Sequence, residues 1–168
     1  FCAVRPPGHH AESTRAMGFC LINNAAVAAA RALQGGHSRI AIVDWDVHHG
    51  NGTMHSFYGS TVLYMSVHQS PHFPGTGSLL EIGDGRGLGF TVNAPLGPGA
   101  GNEDYLEVVA FFVSILNQFG PELLIISAGY DSHYRDRMSS HNLTSDVYSE
   151  LTNQLRVTRG LPTIILLE

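Results

Sequence analysis

Short, nearly continuous apolar runs recur along this chain, and segments with helical spacing separate them. "RIAIVDWD" (39–46), "TVLYMSVH" (61–68), "ELLIISAG" (122–129) and "PTIILL" (162–167) are rich in β-branched residues and lack apolar/polar alternation. That is the pattern of strands buried on both faces of a parallel sheet. "GFTVNAPL" (89–96) is a fifth, less regular run. Of the helical segments, "NNAAVAAARALQ" (23–34) opens with asparagines suited to capping and stops at Gly35 and Gly36. "NEDYLEVVAFFVSILNQFG" (102–120) ends at a glycine, and "TSDVYSELTNQLRV" (144–157) opens with Thr144 and Ser145 as candidate caps. Strands alternating with helices predict an α/β fold, a mainly parallel sheet flanked by helices. In open sheets of this kind ligands sit beyond the carboxyl ends of the strands.

The 168 residues are 43% hydrophobic and 14% charged, which predicts one globular domain over 1–168. No apolar run approaches the roughly 20 residues that span a bilayer, and no basic-then-apolar leader is evident, so the expectation is an intracellular protein without a membrane anchor. The net charge of -5, with no basic cluster, argues against direct nucleic-acid binding. All nine basic residues are arginines. Cys2 and Cys20 lack C-x-x-C spacing and read as reduced, buried thiols. The Gly/Pro-rich stretches 70–89 and 97–101 read as loops within the domain. Neither "FPGTGS" (73–78) nor "GDGRGLG" (83–89) has the order of a phosphate-binding loop.

Ten histidines is a high count, and the carboxyl ends of the predicted strands collect several of them together with aspartates. Asp44, Asp46 and His48 follow one strand, His68 the next, and Asp131 and His133 a third. Asp46 and His48 are two apart, so in extended backbone they would share a face and could chelate one ion, with Asp131 as a third ligand from a neighbouring strand. An aspartate at a strand end ordinarily caps the next helix; three such groups in one neighbourhood point to a catalytic divalent ion, zinc first and iron(II) second. His9 and His10, in "RPPGHHA", suit proton transfer near such an ion, because imidazole titrates near neutral pH. Asp44 and Asn51 are natural partners for the two rings, one offering a carboxylate and the other a neutral amide. Phe19 and Phe73, beside Gly18 and Pro74, are candidates to line a slot. No serine-nucleophile elbow is present.

Taken in order, "RPPGHHA", "MGFCLINNAAVAA", "VDWDVHHGNGT", "FPGTG", "NAPLGPGAGNEDY" and "SAGYDSHYRD" resemble the zinc-dependent histone deacetylase superfamily over essentially the whole chain, close to bacterial class II deacetylase-like amidohydrolases and acetylpolyamine amidohydrolases. The resemblance implies the arginase/deacetylase fold and zinc on Asp46, His48 and Asp131. His9 and His10 would be the general-base and general-acid pair, with Asp44 polarising His9 and Asn51 holding His10. Phe19 and Phe73 would wall a narrow tunnel for an acylated amine, with Gly18 lending backbone contact and Met138 near the floor. A structural potassium would use Asp44, Asp46, His48, Ser66 and Val67. The implied substrates are acetyl-lysine in proteins or acetylated polyamines. The family's oxyanion-binding tyrosine follows a Glu-Gly-Gly, and this sequence ends at "TIILLE". The chain therefore reads as an internal piece of a longer enzyme, weak or inactive without that tyrosine.

Two other readings compete. An arginase-like ureohydrolase needs a further carboxylate two positions after Asp131, where His133 stands. A non-catalytic acyl-amine-binding module of the same fold is the other. Arg137, at a position where the family commonly has proline, is the chief local departure.

Overall fold

In the computed structural model, which describes residues 1–156 and 160–168, five strands form one all-parallel sheet in the order β3-β2-β1-β4-β5. The strands are β1 (Ile40–Asp44), β2 (Leu63–Gln69), β3 (Thr91–Leu96), β4 (Leu123–Ala128) and β5 (Thr163–Leu167). Each falls within one or two residues of an apolar run in the sequence. The helices are α1 (Asn24–Gln34), α2 (Asn51–Phe57), α3 (Asn102–Phe119) and α4 (Ser145–Leu155). Val157, the last residue of the expected third helical segment, lies outside the described residues. The described residues contain no helix long and apolar enough to cross a membrane.

Local chemistry explains where the helices begin and end. The Asn23 side chain accepts the Ala26 N–H at 2.9 Å and so caps α1. Gly120, at φ 62°, ends α3 in the left-handed conformation that glycine adopts without strain. Thr144 precedes α4 but makes no side-chain cap; its hydroxyl instead accepts the Asn102 side-chain N–H at 2.9 Å, tying the start of α4 to the start of α3. The seven-residue α2 has no apolar periodicity and was not expected.

Helices cover both faces of the sheet. Ala41, Val43, Met65, Leu124 and Ile126 pack on Tyr105, Val109, Phe112 and Leu116 of α3 and on Val147 and Leu151 of α4. On the other face Ile40, Ile42, Tyr64 and Ile125 meet Ala25 and Ala29 of α1 and Met54 and Phe57 of α2. Each large apolar side chain fully buried in this way contributes about 1.5–3 kcal/mol. Cys20 is buried as expected, but Cys2 is exposed. Its N–H donates to Ile165 O at 2.7 Å and its carbonyl accepts from Leu167 N at 3.1 Å, which sets its backbone alongside the edge strand β5.

The strand order reverses between β1 and β4. Helix connections leave those two strands in opposite directions, and a crevice opens at their carboxyl ends. Asp46 and Asp131 follow these two strands.

Candidate metal centre

Asp46, His48 and Asp131 offer ligand atoms that all lie within 4.8 Å of one another. They do not converge through extended backbone, as the spacing suggested. Strand β1 stops at Asp44, and residues 46–48 form a bend in which Asp46 Oδ1 accepts the His48 N–H at 2.8 Å. Both neighbouring strands hold that bend. Val47 N donates to Asp131 Oδ1 at 3.0 Å and Gln69 N donates to Val47 O at 2.9 Å. His48 Nδ1 lies 3.1 Å from Asp46 Oδ1 and 2.9 Å from Asp131 Oδ2.

The electrostatics of the cluster call for a cation. Burial and the Asp46 charge raise the Asp131 pKa. Burial alone would lower the His48 pKa, but hydrogen bonds to Asp131 and Asp46 outweigh it and raise the value to about 9. A protonated imidazole thus stands where two carboxylates need positive charge. Two carboxylate oxygens and one imidazole nitrogen gathered this closely form a donor set suited to a borderline divalent ion.

His9 and His10 flank the cluster, both 3% exposed, with ring centroids 4.0 Å apart. Their partners give them opposite charge states. His9 Nδ1 donates to Asp44 Oδ2 at 3.0 Å, and His9 Nε2 lies 3.8 Å from Asp46 Oδ1. Burial, which acts to neutralise His9, is outweighed by these two carboxylates, and its pKa is raised. His10 Nδ1 donates to Asn51 Oδ1 at 2.7 Å. The amide offers no charge, so burial and the neighbouring His9 lower the His10 pKa to about 3. One charged and one neutral imidazole therefore stand side by side near pH 7.

An open cavity of about 670 Å³ leads to these groups, and Gly18, Phe19, Phe73 and Met138 line it together with the metal cluster and both histidines. The Phe73 ring meets His10 edge-on at 5.0 Å and is 45% exposed. Two buried histidines anchor the loop that carries it: His49 Nδ1 bonds Thr76 Oγ1 at 2.7 Å and His68 Nε2 donates to Gly77 O at 3.1 Å. His68 thus serves the loop rather than the metal cluster. Phe19 is 80% exposed and Met138 is 52% exposed. Met138 follows the segment 134–137, which is exposed throughout. Ser66 is fully buried and pairs in register with Asp44, with Val67 the next residue of β2. His133 does not line the cavity; its ring lies 3.1 Å from Ser145 Oγ.

Three participants were assigned no role from the sequence. Glu168 accepts the Gly8 and His9 N–H groups at 2.7 and 3.0 Å and the Ser127 hydroxyl at 3.0 Å, fastening the His-His loop to β4. His72 stacks on His48 at 4.8 Å and donates from Nε2 to Met138 O at 2.9 Å. Glu12 reaches Asn51. All three are single polar residues in loops or at a strand end, and only the fold reveals their partners.

A doubly wound parallel sheet thus carries at its reversal point a carboxylate–imidazole–carboxylate cluster, a candidate site for a metal ion, beside a buried histidine pair. Residues 1–168 match the histone deacetylase domain family throughout, and the chain belongs to that family. A probable deacetylase of Archaeoglobus fulgidus is 46% identical over 153 residues, covering 90% of this chain and 43% of its own. The crystal structure of the HDA15 HD domain superposes with a TM-score of 0.94 at 43% identity, covering 98% of this chain and 50% of the other. That of an acetylpolyamine aminohydrolase from Burkholderia pseudomallei gives 0.92 at 40% identity, covering 98% and 48%. The chain thus spans half or less of the length of each.

Proposed function

We propose that this chain forms the metal-binding half of an enzyme that hydrolyses the amide bond of N-acetylated amines, acetyl-lysine in proteins or acetylated polyamines. The observation that carries the reading is the Asp46–His48–Asp131 cluster set beside two buried histidines, one bonded to a carboxylate and the other to an amide. Asp46, His48 and Asp131 would hold zinc, which would supply Lewis-acid polarisation of the amide carbonyl and activation of the attacking water. Neutral His10 has its Nδ1 proton committed to Asn51, so its Nε2 lone pair is available to take a proton from the attacking water. Charged His9, backed by Asp44, supplies a proton to the departing amine. Phe19 and Phe73 wall the approach, Gly18 lends its backbone, and Met138 borders the mouth. A structural potassium would be held by Asp44, Asp46, His48, Ser66 and Val67, a reading supported by the pairing of Asp44 with Ser66 in register.

The test is acetate release from an acetyl-lysine peptide and, separately, from an acetylated diamine. It uses zinc-loaded natural full-length protein with Asp131→Ala as the control. Release from either substrate that the substitution abolishes supports the reading. No release from either by folded, zinc-containing protein would overturn it.

A further inference from the structure

The side-chain amide of Asn51 has an oxygen and a nitrogen of nearly equal size, so shape alone does not decide which end faces His10. Its surroundings do. Asn51 is 2% exposed, and the end of its amide away from His10 meets two acceptors: Glu12 Oε1 at 2.5 Å and Met17 Sδ at 3.5 Å. A carboxylate cannot donate, so the NH2 end is turned to Glu12 and the oxygen is left for His10 Nδ1 at 2.7 Å. Glu12 is itself held from outside. His55, on the last turn of α2, donates from Nδ1 to both Glu12 oxygens at 2.9 and 3.0 Å, and the Glu12 N–H donates to Arg15 O at 2.9 Å.

We infer that Glu12, steadied by His55, is a positioning residue that sets the tautomer of His10 by fixing the orientation of the Asn51 amide. The path runs His55, Glu12, Asn51, His10, from a half-exposed ring on α2 to a buried one at the cavity. With Glu12 in place the neutral His10 ring carries its proton on Nδ1 and leaves Nε2 unprotonated. Were the amide reversed, its NH2 would face Nδ1, the ring proton would move to Nε2, and the nitrogen needed for accepting a proton would be blocked. Asp44 needs no such device, because a carboxylate accepts from His9 through either oxygen. The amide is what makes the second histidine depend on a third residue. Glu12 also carries a pKa shifted down: burial acts against the shift, and the Asn51 and His55 hydrogen bonds outweigh it. That keeps it an acceptor near neutral pH.

The inference rests on His10 being the proton acceptor only for its effect on rate; the tautomer itself is read without turnover. The experiment records ring-nitrogen chemical shifts of selectively labelled histidine in the natural full-length protein, comparing wild type with Glu12→Gln and Glu12→Lys. Both changes fall on a side chain that is 25% exposed, and thermal melting checks the fold. Wild type is expected to show His10 protonated on Nδ1. Gln can donate or accept, so Glu12→Gln is expected to give a mixture of tautomers and about a twofold loss in kcat, as half the population is misprotonated. Lys can only donate, so Glu12→Lys is expected to reverse the amide, move the proton to Nε2, and lower kcat about tenfold or more with KM little changed. A wild-type ring protonated on Nε2, or Nδ1 protonation that survives in both folded variants, would overturn the inference. A reversed tautomer with kcat unchanged would leave the positioning role intact and refute His10 as the proton acceptor.

Discussion

Gly129, between β4 and Asp131, is the position where one added methyl group tests the metal site most cleanly. A Cβ built there runs into the Asp46 carboxylate, and its distance to Asp46 Cβ is 2.6 Å, against 3.4–4 Å for ordinary van der Waals contact. Asp46 has nowhere to yield: it is 4% exposed, its N–H is bound to Asp44 Oδ1 at 3.1 Å, and its Oδ1 already accepts from His48. Relief requires a shift of about 0.8 Å at a ligand, several times the ±0.2 Å that ligand distances tolerate. Gly129→Ala is therefore expected to lower zinc affinity by about 10²-fold or more, since even substitutions behind the ligands cost 10–100-fold. Gly97→Ala is the matched control, because a Cβ there meets nothing within 4 Å. Zinc affinity is measured by competition with a chromophoric chelator, and urea denaturation reports the fold. A folded Gly129→Ala protein that binds zinc within about twofold of wild type would refute the packing argument.

Other consequences can be measured on the same protein. The Tyr105 hydroxyl, buried between Ser132 Oγ at 2.7 Å and His141 Nδ1 at 3.0 Å, supports the loop after Asp131. Tyr105→Phe should cost about 1–3 kcal/mol in urea denaturation by stranding those partners. Phe112 is fully buried on α3, and Phe112→Ala should cost about 3–5 kcal/mol, read in the same way. His68 is buried and its pKa is lowered to about 4, by burial above all. The unfolded state protonates it at about 6.5, so its contribution is fully present above that pH and is lost as pH falls toward 4, at up to about 1.4 kcal/mol per pH unit. Denaturation curves at successive pH values, compared with His68→Gln, should show a shallower acid slope in the variant.

The sequence carried the sheet because its strands are buried on both faces and so read as continuous apolar runs. It carried α1 and α3 because a side-chain cap and a terminal glycine mark their ends. Helix α2 was invisible: five of its seven residues are buried, but they are Asn51, Gly52, Thr53, Met54 and Phe57, a mixture without an apolar stripe. The Asp46, His48 and Asp131 cluster was legible because its members sit at strand ends, although a side-chain-bonded bend, and not extended backbone, brings Asp46 and His48 together. Glu12, His72 and Glu168 act across 39, 66 and 160 positions of chain, and no local pattern encodes contacts of that separation. Cys2 was misplaced for a related reason. A thiol side chain predicts burial on average, and a position beside the edge strand β5 overrides the average.

Stepwise reconstitution tests the central claim most directly. Natural full-length protein is stripped with a chelator, zinc is returned in sub-stoichiometric steps, and acetate release from the better of the two acetylated substrates is followed at each step. The account predicts no release from stripped protein, a linear rise, and saturation at one zinc per chain, with Asp131→Ala failing to respond. Activity that survives stripping, or that saturates only at two ions per chain, would contradict it.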